Sequence, residues 1–408
     1  MQILFVHQNF PAQFKHLAPA LAARGDRVVA LCMNAYAGGA GITAVRSHAG
    51  YSSTTTGHPW TADFDTKIIR GEATLRSARR LAEQGFEPDI IIAHPAWGES
   101  LFLKQLWPRA RLGIYCEYFY GSDAGDTGFD PEFPVADPLA NACRLQVRNL
   151  AQQMHFEMAD AAISPTSWQA DTYPPSFRPR IEVIHDGIDT EAAIAGPASA
   201  LTVGDTVLRP GDEVITYAAR NLEPYRGYHR FMRALPDLLA RRPQAQVLIV
   251  GGNGVSYGAA PPAGKTWRDI YLDEVAGRID RSRVHFLGWL SPDRFRAVLR
   301  LSMVHVYLTY PFVLSWSLLD AMATRCTIVA SDTAPVREVV DATTGVLVPF
   351  FDTEALVDAI CGLIEAPGRR VLLGAAARAR VVADYDLARC LPLQLAWVDA
   401  LAGRITPR

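Results

Sequence analysis

Two hydrophobic patterns alternate along the chain. Short continuous apolar runs stand at "QILFVH" (2–7), "RVVALCM" (27–33), "DIIIAH" (89–94) and "RLGIYC" (111–116). This is the mark of strands buried on both faces. Between them, "AQFKHLAPALAARG" (12–25), a stretch over 66–84 stopped by Gly85, and a short stretch from Gly98 to Leu106 place apolar residues at helical spacing. Strand and helix in alternation predict a parallel sheet covered on both sides. Residues 117–140, rich in Gly, Asp, Pro and aromatics, break the pattern, and a loop of that length is a candidate for function. A long helix is expected over 141–158, then strands at "AAIS" and "IEVIHDGID". Residues 191–212 read as a linker. A second series follows: "EVITYAAR", helix 227–241, "QVLIVGG", helix 267–279, "RVHFLG", helix 292–300, "VHVYL", helix 315–323 and "TIVAS". Beyond "GVLVPF" the chain reads as helical.

The expected architecture is therefore α/β, with two Rossmann-like doubly wound parallel-sheet domains in tandem. The boundaries are 1–190 and 191–385, with a last helix at about 386–408 packing back on the first domain. The length of 408 residues agrees with two or three domains at about 150 residues each. Ligands in such folds lie beyond the C-terminal ends of the strands, at the switch point. With two units, the simplest site is a cleft between them.

Composition narrows the function. Hydrophobic residues make up 49% and charged residues 20%, which reads as a globular, soluble chain. A net charge of −2 argues against bulk nucleic-acid binding, which relies on neutralising phosphates. No apolar run approaches the ~20 residues of a membrane span. "MQILFVHQNF" has no basic start and reads as a first strand rather than a leader. The six cysteines are scattered without a C-x-x-C pair, favouring buried thiols over a disulfide frame or zinc site. The expected location is the cytoplasm, with peripheral placement at the inner face of the membrane as a variant.

The candidate chemistry lies just past strands. In "ITYAARNLEPYRGYHRF", Arg220 ends a strand, and Arg226 precedes Gly227, which opens a helix. Two guanidiniums beside a helix start suit a diphosphate; the alternative is a surface arginine pair bonded to Glu223. In "VLIVGGNGVSYG", Gly252 and Asn253 sit in a glycine-rich turn that permits close backbone approach but lacks the dinucleotide fingerprint. In "TYPFVLSWSLLDAMA" (309–323), Asp320 is the only charged residue. The amides of Val313, Leu314 and Ser315 are expected to be open donors at a helix start. Asp320 is either half of a Ser317-x-x-Asp cap or an acceptor for ribose hydroxyls. In the first half, His7 and Gln13 follow the first strand, His94 and Trp97 follow "DIIIA", and Glu117 and Tyr118 follow "GIYC". His94 is either a core histidine or a site residue, and Trp97 either packing or a sugar platform. A carboxylate such as Glu117 at a strand end is the stronger candidate. Asp123, Asp126 and Asp130 read as solvated loop carboxylates rather than metal ligands. Arg76, Arg79 and Arg80 form a solvated helix face, or a docking patch for a phosphate-bearing lipid or membrane surface.

In order and spacing, "HDGIDT", "RNLEPYRG", "VHFLGWL" and "LLDAMATRCTIVASDTAPVREVVDATTGVLV" resemble the motif series of retaining glycosyltransferases of family 4, which have the GT-B fold. The resemblance implies transfer of a sugar from a nucleotide-diphosphate donor, as co-substrate, to a glycan, lipid-linked or small-molecule acceptor. It implies no cofactor and no metal. Arg220 and Arg226 would hold the diphosphate, Asp320 the ribose, and backbone near Phe286, Leu287 and Gly288 the base. Gly252, Asn253 and residues 313–315 would complete the donor site. His7, Gln13, Trp97 and Tyr118 would face the acceptor, and His94 and Glu117 would stand nearest the chemistry. The chain departs from the family pattern in three places. Phe312 stands where the first of two glutamates is expected and cannot accept hydrogen bonds from sugar hydroxyls. "HQNFPAQF" replaces a Gly-Gly loop. Glu117 ends a strand where many relatives carry histidine. The alternatives are a nucleotide-sugar binder with altered or lost catalysis, and a phosphorylase or epimerase on the same fold.

Overall fold

The computed structural model describes residues 1–36, 38–39, 41–53, 57–122, 125–196 and 198–404. It divides into two compact units, Met1–Gly187 with the segment from Leu387 onward, and Ile188–Asp386.

The first unit is built on a seven-stranded parallel sheet, order β3-β2-β1-β4-β5-β6-β7. Its strands are β1 (Gln2–Val6), β2 (Arg27–Cys32), β3 (Ile42–Arg46), β4 (Ile90–Ala93), β5 (Arg111–Tyr115), β6 (Ala161–Ser164) and β7 (Ile181–Val183). β1 lies between β2 and β4, with Ile3 opposite both Val28 and Ile90. Successive side chains point to opposite faces, so each strand feeds two cores. Leu4, Val6, Leu31, Ile91 and Leu112 pack with Ala78 and Leu81 of the helix Ala62–Glu83. Ile3, Phe5, Ala30, Ile90 and Ile92 pack with Leu17 and Leu21 of the helix Leu17–Ala23. That second core also takes Trp397, Val398 and Leu401 from the helix Leu387–Leu401. Gly113 of β5 makes room for it, since a Cβ there would run into the Trp397 ring.

The second unit carries a six-stranded parallel sheet, order β12-β11-β10-β13-β14-β15. Its strands are β10 (Val214–Asn221), β11 (Gln246–Gly252), β12 (Val284–Gly288), β13 (Val304–Tyr307), β14 (Ile328–Ser331) and β15 (Gly345–Val348). A separate antiparallel hairpin, β8 (Leu201–Val203) with β9 (Thr206–Leu208), occupies part of the stretch read as a linker. Its strands are too short to register as a pattern. The expected helix over 141–158 is two helices, Pro138–Arg148 and Leu150–Met158. They meet at Asn149, whose amide side chain pairs with both backbone groups of Tyr120. None of the six cysteines is in a disulfide, and all but Cys143 are buried. Among the described residues no helix is long and apolar enough to cross a membrane.

Candidate functional site

In each sheet the strand order reverses at one place, between β1 and β4 in the first unit and between β10 and β13 in the second. Chemistry-bearing side chains collect beyond both places, as expected for doubly wound sheets.

In the second unit, Arg220 is exposed near the end of β10, and its guanidinium has no hydrogen-bond or ion-pair partner among the described residues. Gly227 has φ +69° and precedes the helix Tyr228–Arg241, which has no side-chain cap. A Cβ at Gly227 would run into Leu308, so only glycine lets the helix start here. Arg226 is buried, 6% exposed. It is not paired with Glu223. Its Nη1 donates to Thr309 Oγ1 at 2.9 Å and to the Val313 carbonyl at 3.0 Å. The rings of Tyr257 and Phe312 lie 5.2 and 5.8 Å from its guanidinium carbon. Burial works against its charge, but the Tyr307 and Tyr257 hydroxyls outweigh it and raise the pKa above the ordinary arginine value.

Glu223 is fully buried, and its carboxylate accepts from the amides of Ser256, Tyr257 and Gly258 at 3.1 to 3.4 Å. Asn221 accepts from the Gly254 amide at 3.1 Å and donates to Ser256 Oγ at 2.7 Å. Together they fasten the glycine-rich turn after β11 to the end of β10. Gly252 lies under Trp289, whose indole a Cβ would strike, while Asn253 is exposed. The Phe286 ring has the Arg268 and Arg281 guanidinium carbons at 4.4 and 5.3 Å, and Leu287 and Gly288 are half-buried.

Two expectations about the 313–320 segment change. The Ser315 amide is not open, because it donates to the Tyr307 hydroxyl at 2.9 Å. The helix is Trp316–Ala323, and Ser315, not Ser317, is its cap, accepting from the Ser317 amide at 3.3 Å. Asp320 lies half-buried in the second turn, so the Ser317–Asp320 cap does not form. Val313 is buried and Leu314 half-buried. Phe312 is 3% exposed and packs against Tyr225 and Tyr257, with ring centroids 5.2 and 4.9 Å away.

In the first unit the structure brings together five of the six residues singled out. Glu117 Oε1 accepts from Gln13 Nε2 at 2.9 Å, and Glu117 Oε2 lies 3.3 Å from His94 Nε2. His7 stands edge-on to His94 at 5.2 Å. Burial would raise the Glu117 pKa, but His94, His7 and Gln13 outweigh it and hold the carboxylate below its ordinary range. His94 is stacked between Trp97 at 6.1 Å and Tyr115 at 5.8 Å, and about a third of Trp97 is exposed. Tyr118 goes elsewhere: it is 4% exposed, its hydroxyl donates to Asp126 at 2.9 Å, and its ring stacks on Trp168. Asp126 and Asp130 are not solvated, at 2% and 1% exposed, and Asp130 accepts from the Glu132 amide. Asp123 lies outside the described residues. Arg76 pairs with Glu72 at 2.7 Å, and Arg79 and Arg80 are exposed.

Sequence reasoning missed Tyr307 and Thr309, which organise Arg226, and also Arg70 and Glu99. Glu99 had a legible signal, as the only acidic residue in the otherwise apolar run "HPAWGESLFL".

Comparison with known proteins agrees with these features. Residues 24–193 match the model of the "Glycosyl transferase family 4 group", and residues 212–366 that of "Glycosyl transferases group 1". D-inositol 3-phosphate glycosyltransferase of Rhodococcus jostii is 27% identical over 56% of this chain and 50% of its own length. The chain spans about half the length of the first curated relatives it matches. Alpha-maltose-1-phosphate synthase of Mycolicibacterium smegmatis is 27% identical over 79% of this chain and 84% of its own. Among solved structures, HepE of Anabaena in complex with UDP-glucose superposes with a TM-score of 0.69 at 14% identity, over 98% of this chain and all of that one. The two parallel-sheet units are those of the GT-B fold. With a family model matched in each unit and the motif series in register, the chain belongs to glycosyltransferase family 4.

Proposed function

We propose that this chain is a retaining glycosyltransferase. It moves a sugar from a nucleotide-diphosphate donor, held by the second unit, to a hydroxyl of an acceptor held by the first. The acceptor is a glycan, a lipid-linked molecule or a small molecule. The observation that carries the donor assignment is the β10–β13 switch point. An exposed arginine with no partner among the described residues stands there beside a helix without a side-chain cap that opens at Gly227. Both are complementary to a diphosphate. The HepE complex with UDP-glucose makes a uridine donor the first to test.

The proposed step is front-face transfer. The bond from the anomeric carbon to the diphosphate breaks, and the acceptor oxygen bonds to the same face of the carbon. The acceptor proton passes to the departing phosphate oxygen, releasing nucleoside diphosphate. Arg220 and the helix start stabilise the negative charge that develops on the leaving group. Arg226 acts from below, fixing residues 309–313. Glu117, kept ionised beside His94, orients the acceptor hydroxyl. No metal enters this scheme, so turnover is expected to survive EDTA.

One observation favours a second reading, in which the chain binds a nucleotide sugar without turning it over: Phe312 is buried among aromatic rings and offers no acceptor to a sugar. Calorimetric titration with UDP, GDP and ADP, followed by chromatography of the matching donor sugars incubated with enzyme, decides between them. Slow release of nucleoside diphosphate supports transfer. Binding without release supports the second reading, and absence of binding to every nucleotide removes both.

A further inference from the structure

Several buried polar atoms that lack a hydrogen-bond partner among the described residues fall in one place. They are Gln13 Oε1, His94 Nδ1 and both carboxylate oxygens of Glu99. Their residues sit just beyond β1 and β4 in the first unit. Buried polar atoms are nearly always satisfied, by protein, water or ligand, so this end of the sheet has hydrogen-bonding capacity that the described residues do not use.

Arg70 brings a positive charge to the same place. It lies on the helix Ala62–Glu83, which approaches the turn after β4 closely at a pair of glycines. A Cβ on Gly71 would stand 2.9 Å from the Gly98 carbonyl, and a Cβ on Gly98 would run into Lys67. That approach delivers Arg70 to the strand ends. Its guanidinium donates to Gln8 Oε1 at 2.9 Å, and its nearest carboxylate, Glu99, is 3.9 Å away, beyond hydrogen-bond reach. Glu99 is 1% exposed, and burial raises its pKa against the pull of Arg70, His94 and Lys67. Lys67, by contrast, is committed to the Arg148 carbonyl and to Asp63, each at 2.7 Å. Of the five N–H donors of Arg70, the described residues engage one, and the side chain is 30% exposed. At the other end, Glu117 stays ionised against Gln13 and His94. The site is therefore polarised, cationic at Arg70 and anionic at Glu117, with the partly exposed ring of Trp97 beside His94.

We propose that this end of the first unit binds a polyhydroxylated acceptor carrying an oxyanion, phosphate or carboxylate, and that Arg70 is the specificity-determining residue that reads it. The planar fork of a guanidinium matches an oxyanion. Glu117 repels the same group, so the acceptor lies with its oxyanion at Arg70 and a hydroxyl at Glu117. This rests on the reading of the first unit as the acceptor side.

The test is calorimetric titration of the full chain with glucose, glucose 6-phosphate and glucuronate. A parallel arm measures co-sedimentation with phosphatidylcholine vesicles, with and without phosphatidylinositol. Wild type is expected to bind a charged sugar, or the phosphatidylinositol vesicles, at least about tenfold more tightly than the neutral counterpart, the value of one charge-assisted contact. Arg70→Gln should abolish the difference, and Arg70→Lys, which keeps the charge but not the fork, should restore part of it. The arm that responds assigns the oxyanion to a free sugar or to a lipid headgroup. Equal or undetectable binding of charged and neutral probes, or a preference that survives Arg70→Gln, overturns the proposal. UDP titration of the same variants reports on the second unit. It shows that the protein is folded, and its failure in wild type counts against the donor reading alone.

Discussion

Replacing Arg226 by alanine separates two roles that the sequence alone runs together. An arginine that only grips a diphosphate is dispensable for folding. Arg226 is instead buried, and its Nη1 bonds to Thr309 Oγ1 and the Val313 carbonyl, with two aromatic rings about the guanidinium. Each hydrogen bond from a charged donor contributes about 1.5 kcal/mol or more, and each ring face about 0.5 to 1 kcal/mol. Relief of a desolvated charge offsets about 1 kcal/mol of that total. The net expected loss is about 3 kcal/mol, or roughly 9 °C of midpoint for a unit of this size. Arg220→Ala, at an exposed side chain without partners among the described residues, should cost less than about 0.5 kcal/mol and act on UDP affinity. Urea unfolding followed by tryptophan fluorescence, with UDP titration of both variants, provides the measurement. If Arg226→Ala unfolds within about 1 kcal/mol of wild type, Arg226 does not fix the 309–313 segment and the structural argument fails.

Other outcomes follow from the same geometry. Gly227→Ala should lose UDP binding together with about 2 kcal/mol or more of stability, since the new Cβ meets Leu308 at a positive φ; wild-type titration and unfolding curves would contradict this. His155, His185 and His305 are buried and, mainly through desolvation, have pKa values lowered to about 4, 3 and 3. The unfolded chain binds protons at these sites near pH 6.5 while the native chain does not, so stability falls as pH drops below that value, by up to about 1.4 kcal/mol per pH unit per histidine. His155→Gln should flatten the fall measured by urea titration between pH 6.5 and 4.5, and an unchanged slope would count against it. Glu117, with its pKa lowered, contributes stability that is present above the ordinary carboxylate range and lost as pH falls through its native value. Glu117→Gln should therefore remove part of the acid limb below pH 4 and lower acceptor-dependent turnover at neutral pH; a variant matching wild type in both would refute its role.

The fold was legible because its strands are buried on both faces. "DIIIAH" and "QVLIVGG" admit few readings once helices flank them, and the motif run from 185 to 349 supplied the family. The placement of the candidate residues was legible where a residue's position along a strand fixes where it points. Arg220 stands at the C-terminal end of β10, Gly227 lies a short turn beyond it, and His94 and Glu117 follow the ends of β4 and β5. It was not legible where a partner comes from a distant element. Nothing near Arg226 in sequence announces that Thr309 and Val313 will take its protons, or that the Tyr307 hydroxyl will take the Ser315 amide. Tyr118 and Asp126 were misjudged for the same reason, since a loop rich in Gly, Pro and Asp reads as wet, yet their hydrogen bond is buried. The hairpin at 201–208 was lost to its brevity.

The closing helix Leu387–Leu401 belongs to the first unit although the whole second unit precedes it in the chain. A ribosome therefore delivers all seven strands of that sheet long before the wedge of Trp397, Val398 and Leu401 that seals one of its faces. During synthesis the nascent first unit waits with an apolar face uncovered, a state prone to aggregation. The order of completion is thus reversed with respect to the order of translation, and the domain begun first is finished last.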